Sequence, residues 1–585
     1  MARAGRPTTR SEGEPPDDGD TSEPSDDARR GDGDLSADEA AEEASLPLEH
    51  GNGGRRRADG SGGFRGALES VLPRREFGDQ RDILGGAGQN VIGLAAGVLA
   101  TFVTQIVMTR TLGAQLFGVV TVTTQFAFIA STATRFGMDV ANVRLVAILD
   151  GRGEQGRIRH LVRKSVWISG IVSVAVGLIV FALSSWLAST FVAPDLHRQG
   201  TVSFWAAALA IPFAAVTWSY LGGTRGLKIM RHTLYIFWIG QPVGWILFAI
   251  AGWFVASKTA GVSSFAYAFS WIVACGLAAW AWERESRGFD AMPRGEGIPE
   301  EQTGHLLRFG MLRTPATLFA QLLFWIDTFV LAAIKPGQVG VYGATVRTGQ
   351  SLLLFLTSLS LVFSPFVADL HHRGERDKLD ALYKNVTRWG LATTLPILLA
   401  LAILPGTIMR VYGNEFVAGK AALQILIIGL IVPVIVGTVG FILIMVGRTG
   451  WDLLVYMGSF ITAVGIAVVL APHIGMRGTA IAEAVTLTAS AIARLLLVRH
   501  FVRIWPFDRA FLRLIVPTVA GGVAMWAAHQ VLAGPKWLID LGGSIVFGTL
   551  VYGVLLVAIG LKPGERRLLI TLLKRMLPGG SPAAA

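Results

Sequence analysis

The chain has 585 residues, of which 52% are apolar and only 16% are charged, and its mean hydropathy is +0.51. Soluble globular domains carry about a quarter charged residues, so this composition excludes an ordinary soluble protein and favours a membrane protein. The formal net charge of +11 does not indicate a nucleic-acid partner. The basic residues fall in short loops between apolar runs, and no nucleic-acid-binding motif accompanies them.

The first 84 residues differ from the rest of the chain, because they hold 20 of the 41 acidic and 12 of the 52 basic residues among Gly, Ser and Pro. Such a segment buries too little apolar surface to offset the chain entropy lost on folding. We therefore predict a disordered, charged cytoplasmic tail over 1–84. Because the start of the chain is polar, we expect no cleaved signal peptide.

Apolar runs long enough to cross a bilayer, about twenty residues each, recur over the rest of the chain. They predict an all-α polytopic membrane protein with about fourteen transmembrane helices. The predicted spans are 89–109, 117–134, 165–187, 203–222, 234–256, 263–282, 311–334, 344–366, 387–409, 421–445, 453–472, 478–498, 512–533 and 540–560.

The distribution of Lys and Arg tests the number and orientation of these spans. With the N-terminus inside, the inner loops and the C-terminal tail, with the adjoining span ends, hold 31 Lys and Arg, and the outer loops hold 9. Because an excess of positive charge marks cytoplasmic loops, both termini are predicted to be cytoplasmic in a multi-pass protein of the cell membrane. Two inner segments, 368–386 and 565–577, alternate apolar and basic residues and are predicted to be interfacial helices.

A short internal sequence similarity indicates two similar halves. Segment 115–120 follows the first predicted span, segment 338–342 follows the seventh, and both place Gly in a tight turn. Six spans per half keep the same orientation, which predicts a parallel repeat around a central cavity. The predicted organisation is a tail (1–84), a first half with spans one to six (85–284), a linker (285–310), a second half with spans seven to twelve (311–499), two further spans (500–561) and a C-terminal tail (562–585).

The sequence lacks the motifs of common nucleotide and metal sites. No GxxxxGK[ST] loop is present, and the adjacent His371 and His372 have neither an HExxH pattern nor a nearby Cys. The single cysteine, Cys275, has no disulfide partner within the chain. We therefore expect no enzymatic activity, no resident cofactor and no metal site.

Ionisable and polar residues inside the apolar spans are the main candidates for function. A charge at mid-bilayer costs about 2.5–3.5 kcal/mol on insertion scales, so it tends to face a partner or a cavity. Asp327, in the seventh predicted span, is the clearest case. The candidates for substrate binding, or for coupling to H⁺ or Na⁺, are Asp327, Arg313, Arg347, Glu483, Gln105 and Gln321.

The arginines among these candidates have two explanations that the sequence leaves open. Arg313 and Arg347 lie near span ends, where attraction of an anionic head group and snorkelling to the interface explain them equally well. Arg135, Asp139 and Arg225 also lie at span ends. They are candidates for a cytoplasmic gate, although a role in topology and loop anchoring explains them better.

Five segments, taken in chain order, carry a resemblance to a known family. They are RTLGAQLFG at 110–118, FGMD at 136–139 followed by Arg144, Ile326-Asp327 followed by GVY at 340–342 and Arg347, YGNEF at 412–416, and GMRGTA at 475–480. In this order and spacing they resemble the polysaccharide exporter, or lipid-linked oligosaccharide flippase, family of the multidrug/oligosaccharidyl-lipid/polysaccharide (MOP) superfamily. The charged N-terminal tail departs from the pattern of that family.

The resemblance implies a flippase with fourteen helices that moves undecaprenyl- or dolichyl-linked oligosaccharide from the inner to the outer leaflet. It implies alternating access between two six-helix lobes, with the last two helices beside the path of the lipid. The partners expected on this basis are the lipid-linked oligosaccharide and membrane lipids, with glycan-assembly enzymes as further candidates and a monomer as the expected state.

Two alternatives remain open at this point. A multidrug or small-solute antiporter of the same superfamily, coupled to a cation, commonly has an acidic residue in the first span, where this chain has only Gln105. A membrane glycosyltransferase or polymerase is expected to have a sizeable outer loop with paired carboxylates. The outer loops predicted here are short and poor in acidic residues.

Overall fold

The computed structural model describes residues 77–295, 302–534 and 536–561, and this part of the chain is helical with no β-strand. Its α-helices are α1 (Phe77–Thr134), α2 (Met138–Gly151), α3 (Gln155–Ala182), α4 (Ser184–Phe191), α5 (His197–Gly226), α6 (Gln241–Val255), α7 (Ala260–Glu285), α8 (Thr303–Leu323), α9 (Ile326–Ile334), α10 (Val339–His372), α11 (Arg376–Ile403), α12 (Pro405–Arg410), α13 (Lys420–Val436), α14 (Val439–Met445), α15 (Thr449–Ile474), α16 (Met476–Phe501), α17 (Ile515–Leu532) and α18 (Trp537–Leu555). Two π-helical segments, Thr233–Gly240 and Leu556–Gly560, adjoin α6 and α18.

The helices confirm a multi-pass membrane protein. Among the described residues, 11 helical segments are long and apolar enough to cross a bilayer, or 12 if α8 and α9 form one bent span. Each predicted span falls mostly on helix. Large apolar side chains also cover the outside of the bundle, for example Trp167 and Leu178 on α3, which are both 65% exposed. A lipid solvent accounts for this exposure.

The first two predicted spans are one continuous helix with a sharp break. The apolar segment Ala96–Thr134 of α1 has 39 residues, which at 1.5 Å per residue is about twice the thickness of a hydrocarbon core. The chain turns at Gly113, whose φ of 73° and ψ of 175° are not helical. Glycine adopts a positive φ without steric cost, so a single residue replaces the longer turn that the sequence predicts.

The seventh predicted span is two helices that meet at an angle of 56°. The bend lies at residues 324–325, and the side-chain amide of Gln350 donates to the carbonyl oxygen of Phe324 at 3.3 Å. Before the bend, Leu306 joins a buried apolar cluster of the first half, and Gly310 lies against Phe136 at the end of α1. After the bend, Asp327 of α9 contacts Tyr342 of the second half, and Phe329 packs on Phe126 and Phe191 of the first half. The seventh predicted span is therefore shared between the two halves.

The predicted interfacial helix over 368–386 is wrong. The helix α10 continues to His372, and α11 begins at Arg376 and runs on through the next predicted span. Leu379 and Val386 are buried against neighbouring helices, so their apolar spacing reflects packing inside the protein. The other predicted interfacial helix, at 565–577, lies outside the described residues, as does the predicted tail up to residue 76. Residues 77–84 belong to α1.

The hairpin of α17 and α18 packs on α11 of the second half. The Tyr552 hydroxyl donates to the carbonyl oxygen of Ala392 at 2.7 Å. At the opposite end of the hairpin, the buried Asp540 contacts His529 at 2.7 Å and accepts hydrogen bonds from Thr407 and Ser544, each at 3.2 Å. These contacts fix the hairpin to the second half at both of its ends.

Candidate functional site

Two carboxylates from different helices meet on one tyrosine. Asp327 begins α9 directly after the bend, Tyr342 lies in α10, and Glu483 lies in α16. The three residues are 2%, 0% and 6% exposed. The Tyr342 hydroxyl contacts the Asp327 carboxylate and lies 3.2 Å from Oε2 of Glu483. The structure therefore brings together two residues that the sequence predicts as separate candidates.

Neutral donors complete this cluster. The backbone N–H of Thr328 donates to Oδ1 of Asp327 at 2.8 Å, and Nε2 of Gln350 donates to Oε1 of Glu483 at 3.1 Å. The same Gln350 amide reaches the free carbonyl oxygen at the bend between α8 and α9. The geometry of the bend and the position of Glu483 are therefore linked through one side chain.

The hydroxyl of Tyr342 has one hydrogen and two carboxylate neighbours. That hydrogen can point at only one of them at a time, so a second hydrogen on one carboxyl group would complete the network. Close carboxylates in a buried site commonly share a proton in this way. The cluster is therefore suited to holding a shared proton. No set of three or more His, Cys, Asp or Glu side chains arranged to hold a metal ion occurs in the described ranges.

Arg347 lies five residues after Tyr342 on α10 and contacts the first half. The side-chain amide oxygen of Gln105, oriented toward Arg347, accepts hydrogen bonds from Nε of Arg347 at 2.9 Å and from its Nη1 at 2.8 Å. The guanidinium also lies over the ring of Trp325, 5.2 Å from its centroid. Gln105 belongs to the first half and Trp325 to the bend between α8 and α9, so Arg347 joins three elements of the bundle.

Asp327 and Arg347 do not pair with each other in this structure, since each has the other partners described above. Gln321 is half-buried near the end of α8. Arg313 lies in α8, but its side chain is outside the described part of the chain. Of the six candidates predicted from the sequence, Asp327 and Glu483 therefore form one cluster, and Gln105 and Arg347 form a second contact next to it.

The gate candidates form a third cluster, around Trp218 of α5. The guanidinium of Arg135 lies 4.7 Å from the ring centroid of Trp218 and pairs with Asp139 at 3.3 Å. The guanidinium of Arg225 lies 5.3 Å from the same ring. Three buried N–H groups of this cluster have no hydrogen-bond partner, namely Nε of Arg135, Nη2 of Arg225 and Nε1 of Trp218. Two cations, one carboxylate and free donors leave this cluster able to accept an anion.

Tyr342, Gln350 and Trp218 are the residues of these clusters that sequence reasoning missed. A tyrosine or tryptophan in an apolar run has the same sequence signature as an ordinary core residue. Two signals were present in the sequence: Tyr342 lies in the GVY segment that carries the family resemblance, and it lies about two helical turns from Gln350 on the helix that also carries Arg347.

Comparison with known proteins identifies the fold. Residues 87–371 match the family of polysaccharide biosynthesis proteins. The structure is similar to the lipid II flippase MurJ in an inward closed conformation, with a TM-score of 0.61, 15% sequence identity and coverage of 81% of this chain and 99% of that one. It is also similar to an inward-facing multidrug resistance MATE family transporter of the MOP superfamily, with a TM-score of 0.59, 15% identity and coverage of 71% and 94%. The chain has a MOP-superfamily fold.

This MOP-fold chain also has a sequence match to the multidrug resistance protein MdtK of Klebsiella pneumoniae (strain 342). The identity is 24% over 258 residues, which cover 42% of this chain and 54% of MdtK. The chain therefore matches only about half the length of that relative. Together these comparisons confirm the resemblance found in the sequence, and the matched MOP proteins are transporters and flippases rather than enzymes.

Proposed function

We propose that this MOP-fold protein is a flippase that moves an oligosaccharide, or a polysaccharide repeat unit, linked to a polyprenyl phosphate or diphosphate from the inner to the outer leaflet of the cell membrane. In this proposal fourteen helices cross the membrane and both termini are cytoplasmic. The two halves alternate between a form open to the inside and a form open to the outside. The matches to polysaccharide biosynthesis proteins and to the lipid II flippase support this class of substrate.

The observation that carries the proposal is the uncompensated charge of Arg347. Its partners are the neutral side chains of Gln105 and Trp325. None of the ion pairs between described residues includes Arg347. An arginine offers paired N–H donors in a planar fork, which matches the oxygens of a phosphate group. A phosphate-bearing head group would replace the Gln105 amide as the partner of this fork.

The cluster around Trp218 supports the same chemistry in the first half. Among the described side chains, Asp139 pairs with Arg135 only, and both Arg135 and Arg225 keep buried donors without partners. Unsatisfied buried donors are costly, so an anionic ligand that accepts their hydrogen bonds would be stabilised there. We propose that this cluster and Arg347 hold the phosphate-bearing head group at different stages of transport.

An exposed apolar face of α17 on the outside of the bundle supports the lipid part of the proposal. The face is formed by Ile515, Val516, Val519, Ala520, Val523 and Ala524. A polyprenyl chain would remain in the bilayer against such a surface while its head group crosses through the protein.

The cluster of Asp327, Tyr342 and Glu483 supports coupling to a proton. A proton bound to one of the carboxyl groups completes the hydrogen bonds of the Tyr342 hydroxyl, as described above. Gln350 links Glu483 to the bend between α8 and α9. Proton binding in the second half would therefore act on the helix that also contacts the first half.

A second candidate function is a multidrug antiporter, which the match to MdtK favours. A site for cationic drugs requires an acidic group facing the substrate. Here the buried Asp327 and Glu483 are occupied with Tyr342 inside the second half, whereas the cation Arg347 lies between the two halves beside them. We therefore give the anionic lipid-linked substrate priority over a cationic drug.

The test is a strain depleted of the protein, in which lipid-linked glycan is measured separately in each leaflet with a membrane-impermeant probe. The proposal predicts that glycan accumulates on the cytoplasmic leaflet and that surface polysaccharide is lost. Wild-type protein restores both, and an Arg347→Gln variant of equal abundance does not. A normal distribution between the leaflets in depleted cells would contradict the proposal and favour the antiporter.

A further inference from the structure

Two of the segments that carry the family resemblance meet at one end of the bundle. Segment 110–118 surrounds the break of α1 in the first half. Segment 410–416, which runs from the last residue of α12 through the YGNEF motif at 412–416, lies in the second half. By the predicted topology this is the outer end. The proposed transport function assigns no role to either segment, yet the hydrogen bonds between them are specific and involve one charged residue from each half.

From the first half, Arg110 reaches the C-terminal end of α12. Its Nε donates to the carbonyl oxygen of Val411 at 2.8 Å, and its Nη2 donates to the carbonyl oxygen of Arg410 at 3.2 Å. Both carbonyl groups lie at the C-terminal end of the helix, where positive charge is stabilising. The same guanidinium lies 5.5 Å from the ring centroid of Trp537, at the start of α18.

From the second half, Glu415 reaches the break in α1. Its Oε2 accepts a hydrogen bond from the backbone N–H of Ala114 at 2.9 Å. Because Gly113 is not helical, Ala114 is the first residue of a new helical segment, with a free N–H. Negative charge is stabilising at such an N-terminus. Each half therefore supplies the charged residue that caps a helix end of the other half.

Apolar contacts lie directly beneath these two caps. The rings of Phe117 and Phe416 pack edge to face with centroids 6.1 Å apart, and both side chains are buried. Gly118 and Gly340 face each other so closely that a Cβ on Gly118 would lie 2.9 Å from the backbone nitrogen of Gly340. The two halves therefore touch at this end without intervening side chains.

We propose that Arg110 and Glu415 form a reciprocal latch that holds this end of the bundle closed and sets the fraction of protein open to the outside. The inference rests on the proposed alternation between inward-open and outward-open forms. Opening this end separates segment 110–118 from segment 410–416, which breaks both caps at once. Since both charged residues are exposed, salt weakens the latch by screening its charge.

The test measures the distance between the halves by pulsed electron paramagnetic resonance in the full chain, reconstituted in lipid nanodiscs. Spin labels are placed at Ser257→Cys and His473→Cys, which are exposed positions near this end on different halves. The background is Cys275→Ser, because Cys275 is the only other thiol. The variants are Glu415→Gln and Arg110→Gln. The controls are Asp195→Asn in the connection between α4 and α5 and Arg198→Gln in the first turn of α5, which each remove an exposed charge.

Each latch variant is expected to raise the ratio of long to short distances by about two- to five-fold, the effect of removing one charge from a helix end. The double variant is expected to show the product of the two effects, and the controls should match wild type. If two distance populations are present and neither latch variant changes their ratio, the latch is overturned and the proposed function still stands. A single population in every sample, at acidic and neutral pH and at low and high salt, would overturn alternating access and the latch with it.

Discussion

The contact between Gly118 and Gly340 gives the sharpest prediction about how the two halves come together. A Cβ added at Gly340 would lie 1.8 Å from the carbonyl oxygen of Ala114 and 2.9 Å from the backbone nitrogen of Gly118. Ordinary contacts of this kind are 3.4–4 Å long. Both neighbouring atoms belong to the backbone, so rotation of a side chain cannot relieve the clash. The Gly340→Ala variant must therefore separate α10 from the helix after the break in α1.

Overpacking of this kind costs about 1–3 kcal/mol, and the cost falls only on the state in which the two helices touch. At 1.4 kcal/mol per tenfold change, the ratio of open to closed protein should rise by about five- to a hundred-fold. The spin-label pair described above measures this ratio. The matched control is Gly337→Ala, two residues before α10, where a Cβ would meet no atom within 4 Å. Equal distance distributions in the two variants would refute the reasoning.

Three further variants test the candidate site. Asp327→Asn keeps the shape of the side chain but removes its charge, so transport should fall at least about tenfold at unchanged membrane abundance. The control is Asp195→Asn, and wild-type flux in Asp327→Asn would rule out a role for this carboxylate. Arg347→Lys keeps the charge but loses the paired donors, so titration with polyprenyl diphosphate should show about tenfold weaker binding; unchanged affinity would place the phosphate elsewhere. Asp540→Leu leaves the hydrogen-bonding partners of the Asp540 carboxylate unsatisfied, so the free energy of unfolding should fall by about 1–3 kcal/mol in thermal or denaturant unfolding. An unchanged free energy of unfolding would show that the contacts of Asp540 do not hold the hairpin of α17 and α18 in place.

The sequence predicts the positions of the helices well, because apolar runs of the right length are a local signal. It does not predict how the chain turns between them. The break at Gly113 takes one residue because Glu415, 301 positions away in the chain, accepts the hydrogen bond of Ala114. The predicted interfacial helix over 368–386 fails for a related reason, since burial of Leu379 depends on neighbours that are distant in sequence.

For the candidate site, too, the sequence predicts some features and misses others. Asp327 and Glu483 are recognisable in the sequence because charge inside an apolar run is rare. Their meeting on Tyr342 depends on how three helices pack, so the sequence offers no signal for it. Arg135 and Arg225 look like topology signals at span ends, and only the fold places both guanidinium groups on the same ring, that of Trp218.

The most direct test of the proposed function is a flipping assay with the purified protein in liposomes. The probe is a fluorescent disaccharide on a polyprenyl diphosphate, present in both leaflets, and a membrane-impermeant reductant bleaches the outer one. The account predicts that wild-type protein makes the inner-leaflet probe accessible, faster with a proton gradient, and that Arg347→Gln slows this step. If, with a proton gradient applied, the inner-leaflet probe in liposomes with wild-type protein stays as protected from the reductant as in empty liposomes, the proposed flippase function is contradicted.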